Sequence, residues 1–258
     1  MKKLAVTRRS FVKQSLGGVG PAMMTVSALP LPSSQAAFGA APMTVVCVGG
    51  HPDDPESGCG GTLARYAALG HAVTVVYLTR GERGISAKSL DEAARIRSAE
   101  CEAACKILGA KPVFFGQIDG ATEVTQAQVD AMTRLLAATK PDVVFAHWPV
   151  DTHLDHQVAS MLTIRAWMAL RTASLYFFEV NSGSQTEGFL PNTYVDISSV
   201  IEQKKAALFA HVSQDGQGIW REHHEIMAHW RGRETGVIAA EAFVHLNRES
   251  HLSELPGL

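Results

Sequence analysis

Charge is the first scarcity. Among 258 residues there are 23 Lys and Arg against 25 Asp and Glu, a formal net charge of −2, with no long basic run. That balance gives no support to a nucleic-acid partner, whose phosphates require a concentrated basic surface. Cysteine is scarce too: Cys47, Cys59, Cys101 and Cys105 are the full complement, too few in a chain of this length to form a disulfide framework. Cys101 and Cys105 fall four apart on a predicted helix, where a bridge would be strained. All four are therefore read as small buried side chains, with pairing left open. After the N-terminal region no stretch is long and apolar enough to span a bilayer. Gly and Pro are not in excess, and 46% hydrophobic residues supply ample material for a single folded domain.

Residues 1–41 differ from the rest. Thr7-Arg8-Arg9-Ser10-Phe11-Val12-Lys13 precedes a mildly apolar, Gly- and Ala-rich stretch, then Pro30, Pro32 and the small residues Ala36 to Ala41. A basic start, a short broken apolar region and a small-residue end describe an export signal. The paired arginines resemble the twin-arginine type, read by a translocon that carries folded proteins. The expectation is a signal over 1–41 and a mature domain over 42–258, placed in the periplasm or outside the cell.

From Met43 onward, short β-branched runs alternate with helical patterns. Strands are expected at Thr44 to Val48, Val73 to Leu78, Val113 to Phe115, Val143 to Ala146 and Leu175 to Phe178. Between them, Gly58-Cys59-Gly60-Gly61 is read as a glycine-rich turn before a helix over Thr62 to Leu69. Ser89-Leu90-Asp91-Glu92 forms a capping box opening a helix to Leu108, stopped by Gly109. Further helices are expected at Thr125 to Ala138 and about His153 to Leu170. Such alternation with fully apolar strands predicts an α/β, Rossmann-like, mostly parallel sheet of order 3-2-1-4-5, covered by helices on both faces. After a loop over Gly183 to Asn192, a strand at Tyr194 to Ile197, a helix over Ser199 to His211 and a helical cap around Trp220 to Trp230 form a C-terminal elaboration.

Two clusters carry the chemistry. Strand one ends in Gly49-Gly50-His51-Pro52-Asp53-Asp54, and strand four in His147-Trp148-Pro149-Val150-Asp151-Thr152-His153-Leu154-Asp155-His156. In the order 3-2-1-4-5, strands one and four are neighbours, and ligands bind at the carboxyl ends of strands where the order reverses. The two clusters would therefore meet. Two histidines and one carboxylate with an open position make a catalytic zinc site rather than a closed structural one. The Asp53-Asp54 pair can supply a ligand and a base, because successive side chains on an extended segment diverge. His153, one turn before His156, suits a developing oxyanion, and Asp155 suits the orientation of a ligand histidine from behind. Taken singly, an Asp-Asp pair is more often a solvated turn, and a lone His-x-x-His is weak.

Together, His51-Pro52-Asp53-Asp54, Gly60-Gly61 and His153-Leu154-Asp155-His156 resemble the LmbE/PIG-L family of zinc-dependent N-acetylglucosaminyl deacetylases. Thr79-Arg80-Gly81-Glu82-Arg83-Gly84, Arg97-Ser98-Ala99-Glu100, Asp119-Gly120 and His211-Val212-Ser213-Gln214 are similar to further motifs of that family, over about Thr44 to Gln214. The resemblance implies zinc on His51, Asp54 and His156, although two His and one Asp accept other divalent ions. It implies Asp53 as general base and acid, and His153 as the oxyanion partner. Arg97 and Asp119 fall where family members contact substrate hydroxyls, with surface ion pairing as the alternative. The implied partner is a small N-acetyl sugar or glycoconjugate, and family members often form homo-oligomers. One departure stands out. Family members commonly carry Glu directly after the two aspartates, whereas here Pro55 intervenes and Glu56 follows, either shaping the entrance or sitting at a helix N-terminus, where a carboxylate is favoured.

His223, His224 and His229 are read as an exposed polar helix face, and Trp148 and Trp220 as core packing rather than sugar-stacking faces. Glu241-Ala242-Phe243 resembles a late family feature too faint to assign. A dinucleotide site on Gly49-Gly50 and Gly58 to Gly61 is disfavoured: the spacing is not Gly-x-Gly-x-x-Gly, and strand two ends in Thr79-Arg80 rather than an acid. An exported, non-catalytic sugar- or metal-binding protein is the rival from another class, against which the presence of Asp53 argues.

Overall fold

A computed structural model describes residues 41–246, so the segment expected to be an export signal lies outside the described residues except for Ala41. Five parallel strands form the body of one sheet: β1 (Thr44–Gly49), β2 (Ala72–Tyr77), β3 (Lys111–Phe114), β4 (Val143–His147) and β5 (Ser174–Phe178). Two more strands, β6 (Thr193–Asp196) and β7 (Ala240–His245), extend it antiparallel, giving the order β3-β2-β1-β4-β5-β7-β6. The predicted order holds for the first five strands. The antiparallel edge, and β7 as a strand, were not foreseen. β7 arrives from the far end of the chain after the helical cap, and no local pattern announces its partner.

β1 lies at the centre and shows why its sequence is apolar throughout. Val45 and Cys47 point into one core, with Leu63, Val75, Leu108 and Phe145. Val46 and Val48 point into the other, with Val76, Met132, Val144 and Leu162. Side chains alternate across a strand, so a strand covered on both faces needs apolar residues at every position. Helices α1 (Asp54–Ala68), α2 (Leu90–Leu108) and α5 (Ile201–Phe209) contribute to the first layer, and α3 (Gln126–Thr139) and α4 (Leu154–Leu170) to the second. Among the described residues no helix is long and apolar enough to cross a membrane.

The expected caps hold for α2: Ser89 accepts the Glu92 N–H, and Gly109 ends the helix with φ 74°. For α1 the expectation needs correction. Gly58-Cys59-Gly60-Gly61 is not a turn before the helix but part of it, with a kink at Cys59 (φ −145°, ψ 17°). The glycines are there for close packing: a Cβ on Gly58 would lie 2.2 Å from the Phe178 ring, and one on Gly61 2.7 Å from Ile197. Past the kink, Gly61 and Thr62 donate their N–H groups to Glu241 at 2.8 and 2.7 Å. Glu241 thus caps the second half of α1 from β7, and Lys204 of α5 pairs with it at 2.6 Å. All four cysteines are buried free thiols.

The cap consists of α6 (Gly216–Ile219), a π-helical turn (Trp220–His224) and α7 (Glu225–Thr235). Trp220 is buried in its small core with Ile197, Leu208 and Ala228. Trp148 packs against Phe177 and Phe189. Both are packing residues, as expected.

Removing one partner of a buried ion pair leaves an uncompensated charge, which costs about 3–5 kcal/mol. Glu241→Ala should therefore lose stability on that scale in urea unfolding, since it strands Lys204 and uncaps α1. An unchanged urea midpoint would show the pair to be dispensable.

Candidate metal centre

Parallel pairing of β1 with β4 sets Val48 beside Ala146, so the two motif segments leave the sheet at the same edge. The loop after β1 carries His51 and Asp53 to the start of α1, where Asp54 is the first residue. The loop after β4 carries Asp151 and His153, and the first turn of α4 carries Asp155 and His156. His51, Asp54, Asp155 and His156 are all buried. The solvated-turn alternative for Asp53-Asp54 is thereby excluded.

Their hydrogen bonds have a definite polarity. Asp155 takes His51 Nε2 at 2.9 Å, and is itself held by the Gly120 N–H at 2.8 Å and the Thr122 hydroxyl at 2.6 Å. Asp151 takes His156 Nδ1 at 3.1 Å and the His153 N–H at 2.8 Å. With one nitrogen of each ring donating to a carboxylate, the other nitrogen carries the lone pair. Those lone-pair atoms, His51 Nδ1 and His156 Nε2, each lie 3.2 Å from Asp54 Oδ2. Two imidazole lone pairs aimed at one carboxylate oxygen repel it unless a cation or protons lie between them.

The titration behaviour follows from the same field. Burial pushes His51 down, but hydrogen bonds to Asp119, Asp155 and Asp54 outweigh it and raise the imidazole well above its ordinary value. Burial likewise opposes charge on His156, yet Asp54 and Asp151 bring it up to about 9. For Asp54, burial works upward and the charges of His156 and His147 more than reverse it, leaving the carboxyl well below the usual range. The donor set therefore fits a divalent cation: two imidazole lone pairs and a carboxylate, each ring backed by a second carboxylate in the manner of metal-bound histidines.

The donors close enough to share an ion form three overlapping groups: His51 with His153 and His156, Asp54 with His147 and His156, and His51 with Asp119 and Asp155. The Nε2 lone pair of His147, however, is taken by the Gly50 N–H at 2.9 Å. Burial, then the charge of His156, lowers its pKa to about 4. Its ring lies flat on that of His156, centroids 4.1 Å apart at 11°. His147 thus braces the two ligand segments.

Asp53 stands apart from the donor cluster. Its backbone has φ 94°, a conformation that costs on the order of 1–3 kcal/mol for a residue other than glycine, and its side chain caps nothing in α1. Instead Oδ2 accepts Arg97 Nη2 at 3.2 Å. Burial raises the carboxyl to about 6, against the lowering pull of Arg97. Arg97 is itself buried, its other hydrogen bonds going to the Pro52 and Gly81 carbonyls. It borders the cleft, but it grips the Asp53 segment and is not a surface ion-pair residue. Asp119 is also buried and reaches His51 Nε2 at 3.4 Å while accepting the Arg83 N–H.

His153 is the N-cap of α4, and its Nδ1 accepts the Asp155 N–H at 3.2 Å. The ring proton therefore belongs on Nε2. Burial, reinforced by His51 and His156, lowers its pKa, so the ring is neutral and can donate. His51, Asp53, Asp54, Arg97, Asp119, His153 and His156 line one cleft of about 610 Å³, which also takes in Arg83, Gln214, Asn181 and Gln185, whereas Asp151, Asp155 and His147 lie behind it. That volume is in the range of small-molecule sites.

One placement departs from the sequence-based expectations, and another is sharpened. His224 is buried and lines the cleft, not an exposed helix face, because the π-helical turn rotates it inward. Glu56 sits in the first turn of α1, as one of its two sequence readings has it, and does not line the cleft. It is fully buried, accepts the Tyr77 hydroxyl at 2.5 Å, and lies 3.4 Å from His211 Nε2. Pro55 is tolerated because the first helical turn needs no N–H from it. Sequence reasoning assigns no role to Asp151, Thr122 or His147, which the structure places around the ligand rings. For Asp151 a signal existed, a carboxylate two residues before the His-x-x-His helix start.

Comparison with known proteins agrees with this geometry. Residues 46–167 match the family model described as PIG-L: GlcNAc-PI de-N-acetylase. The 1D-myo-inositol 2-acetamido-2-deoxy-alpha-D-glucopyranoside deacetylase of Actinosynnema mirum is 30% identical over 239 residues, covering 69% of this chain and 84% of that protein. The 4-oxalmesaconate hydratase of Pseudomonas putida is 28% identical over 246 residues, 86% of this chain and 94% of that one. Among solved structures, N,N'-diacetylchitobiose deacetylase from Pyrococcus horikoshii superposes with a TM-score of 0.70 at 26% identity, covering 79% and 84% of the two chains.

One divalent transition-metal ion should bind per chain in equilibrium dialysis. His156→Ala should weaken it by more than the roughly 10–100-fold that loss of an outer hydrogen-bond partner costs. Undiminished metal content in that variant would refute the donor assignment.

Proposed function

The chain belongs to the PIG-L family, and from that premise we propose that it is a zinc-dependent N-deacetylase acting on an N-acetylglucosamine-type sugar or glycoconjugate. The observation that carries the proposal is the pairing of two differently used aspartates. Asp54 turns an oxygen toward the lone pairs of His51 and His156, while Asp53, beside it, turns away and is held by Arg97.

Bound between His51, Asp54 and His156, zinc would supply Lewis acidity for an amide carbonyl and make a nearby water acidic enough to lose a proton near neutral pH. The remaining work falls to the chain. Asp53 Oδ2 is engaged by Arg97, which leaves Oδ1 to take the water proton and later return it to the departing amine. His153, neutral with its proton on Nε2, donates to the oxygen on which negative charge develops. Asp155 and Asp151 hold the two ligand rings in the tautomer that presents a lone pair. Arg97 and Asp119 border the cleft where a sugar's hydroxyls would lie, Arg97 chiefly by holding Asp53.

A hydratase is the second reading, favoured by the similarity to the 4-oxalmesaconate hydratase. Addition of water to a conjugated carbonyl could use the same base and cation. Beside the cation, the charged groups of the cleft are Asp53, Asp54 and Asp119 with Arg83 and Arg97, and Asp53 already engages Arg97, so the walls offer few free cationic groups to a substrate with several carboxylates. The non-catalytic binder has no support from the relatives with named activities, all of which are enzymes. The proposal includes export through residues 1–41, for which Arg8-Arg9-Ser10-Phe11 is the support.

Asp53→Asn should keep its zinc and lose about 10²–10⁴-fold in kcat, measured as amine release from a panel of N-acetyl sugars with and without chelator. Wild-type kcat in that variant would sink the role of Asp53. Hydration of an unsaturated dicarboxylate with no amine release from any N-acetyl compound would favour the second reading.

A further inference from the structure

The loop on one side of the cleft is tied to the Asp151 segment by two backbone hydrogen bonds and one side-chain hydroxyl. Residues 180–187 follow β5 and contribute Val180, Asn181, Ser184 and Gln185 to the cleft wall. Thr186, in the same loop, points away from the cleft and is 2% exposed. Its Oγ1 accepts the Val180 N–H at 3.1 Å and donates to Asp151 Oδ2 at 3.1 Å. The other oxygen of Asp151 takes the His153 N–H and His156 Nδ1. Two backbone bonds flank the link, Thr152 N–H to the Gln185 carbonyl at 2.9 Å and Glu187 N–H to the Val150 carbonyl at 3.0 Å.

We propose that Thr186 is a positioning residue that joins the cleft wall of residues 180–187 to His156, so that one hydroxyl sets both metal affinity and the fit of the substrate's distal part. A carboxylate behind a ligand histidine works only while its own orientation is fixed. Asp151 is fixed on one side by the start of α4 and on the other by Thr186. Without the hydroxyl, Asp151 Oδ2 loses its donor and the Val180 N–H loses its acceptor, and both ends of the link relax together. The side chains this loop offers to a ligand (Asn181, Ser184 and Gln185) are neutral hydrogen-bonding groups. They fit a hydroxyl-rich group beyond the acylated amine, and no charged group is needed there. The inference rests on the metal-centre half of the proposed function and is independent of which reaction the centre performs.

Valine replaces threonine with nearly the same shape and no hydroxyl, and serine restores the hydroxyl. Zinc affinity is read by competition with a chelator on the full chain for wild type, Thr186→Val and Thr186→Ser, alongside the melting temperature of each metal-free protein. Thr186→Val should bind zinc about 10-fold or more weakly, and Thr186→Ser should return to within about threefold of wild type. For any N-acetyl sugar the wild type turns over, the valine variant should raise KM more than it lowers kcat, and serine should reverse the change. Wild-type zinc affinity in Thr186→Val overturns the proposal, even if its melting temperature falls. So does a serine variant as impaired as the valine one. Zinc binding without turnover in the wild type would remove the deacetylase but leave the zinc arm decisive for Thr186; no zinc in the wild type removes both.

Discussion

Because β1 and β4 run side by side in parallel register, the chain leaves the sheet twice at one edge, about a hundred residues apart in sequence. Each exit delivers one half of the candidate metal centre. The β1 exit supplies His51, Asp53 and Asp54; the β4 exit supplies His156, His153 and the two carboxylates that orient the ligand rings. His147, the last residue of β4, accepts the Gly50 N–H from the other exit and stacks on His156. The distance between the halves is thus fixed by backbone pairing and then by one side chain spanning the seam. Flexible loops alone would leave the lone pairs free to diverge, and a loosely held site loses affinity and rate together.

The electrostatics follow from how that edge is built. Asp54, Asp119, Asp151 and Asp155 are buried around two imidazoles. Burying so much negative charge is unfavourable unless cationic charge joins it. The raised pKa of His51 and His156 and the fit of a divalent ion are two answers to one imbalance. Asp53 escapes the imbalance because Arg97 faces it instead of the imidazoles. That separation lets adjacent residues in one tetrapeptide take opposite roles. The unusual φ of Asp53 is what turns its side chain the other way.

Most of the sheet was legible in the sequence, as were the two segments that the sheet brings together. Apolar strands, a capping box at Ser89 and an αL glycine at 109 are local signals, and local signals survive folding. His51, Asp54 and His156 were legible because two motif segments at predicted neighbouring strand ends have few other reasons to coincide. What escaped notice depends on partners far away in the chain. Gly58 to Gly61 looks like a turn until Phe178 and Ile197 are seen pressed against it. Glu241 is inconspicuous until it caps α1 from nearly 180 residues away. His224 reads as surface because a π-helical turn shifts the phase that would otherwise point it outward. Glu56 reads as a helix-terminal acid because neither Tyr77 nor His211 is near it in sequence.

A family whose similar members bear the names of both deacetylases and a hydratase raises the question of what one centre leaves to be decided. Hydrolysis of an amide and addition of water to a conjugated carbonyl compound both need an activated water, a polarised oxygen and a carboxylate to move one proton. With a cation bound, the proposed centre would provide all of these whichever bond is broken. The choice must then lie in the walls. On one side stand Arg83 and Gln214, on the other Asn181, Ser184 and Gln185, with Asp119 below and His224 from the cap. Beside a bound cation the cleft's arginines are Arg83 and Arg97, and Asp53 already engages Arg97, so few groups remain for a polyanionic substrate. Neutral amides and hydroxyls on the loop side suit the donors and acceptors of a sugar. The physical case for an N-acetyl sugar over an unsaturated polyacid therefore rests on the composition of the walls rather than on the metal centre. The link from Thr186 through Asp151 to His156 keeps one of those walls in register with the chemistry it selects for.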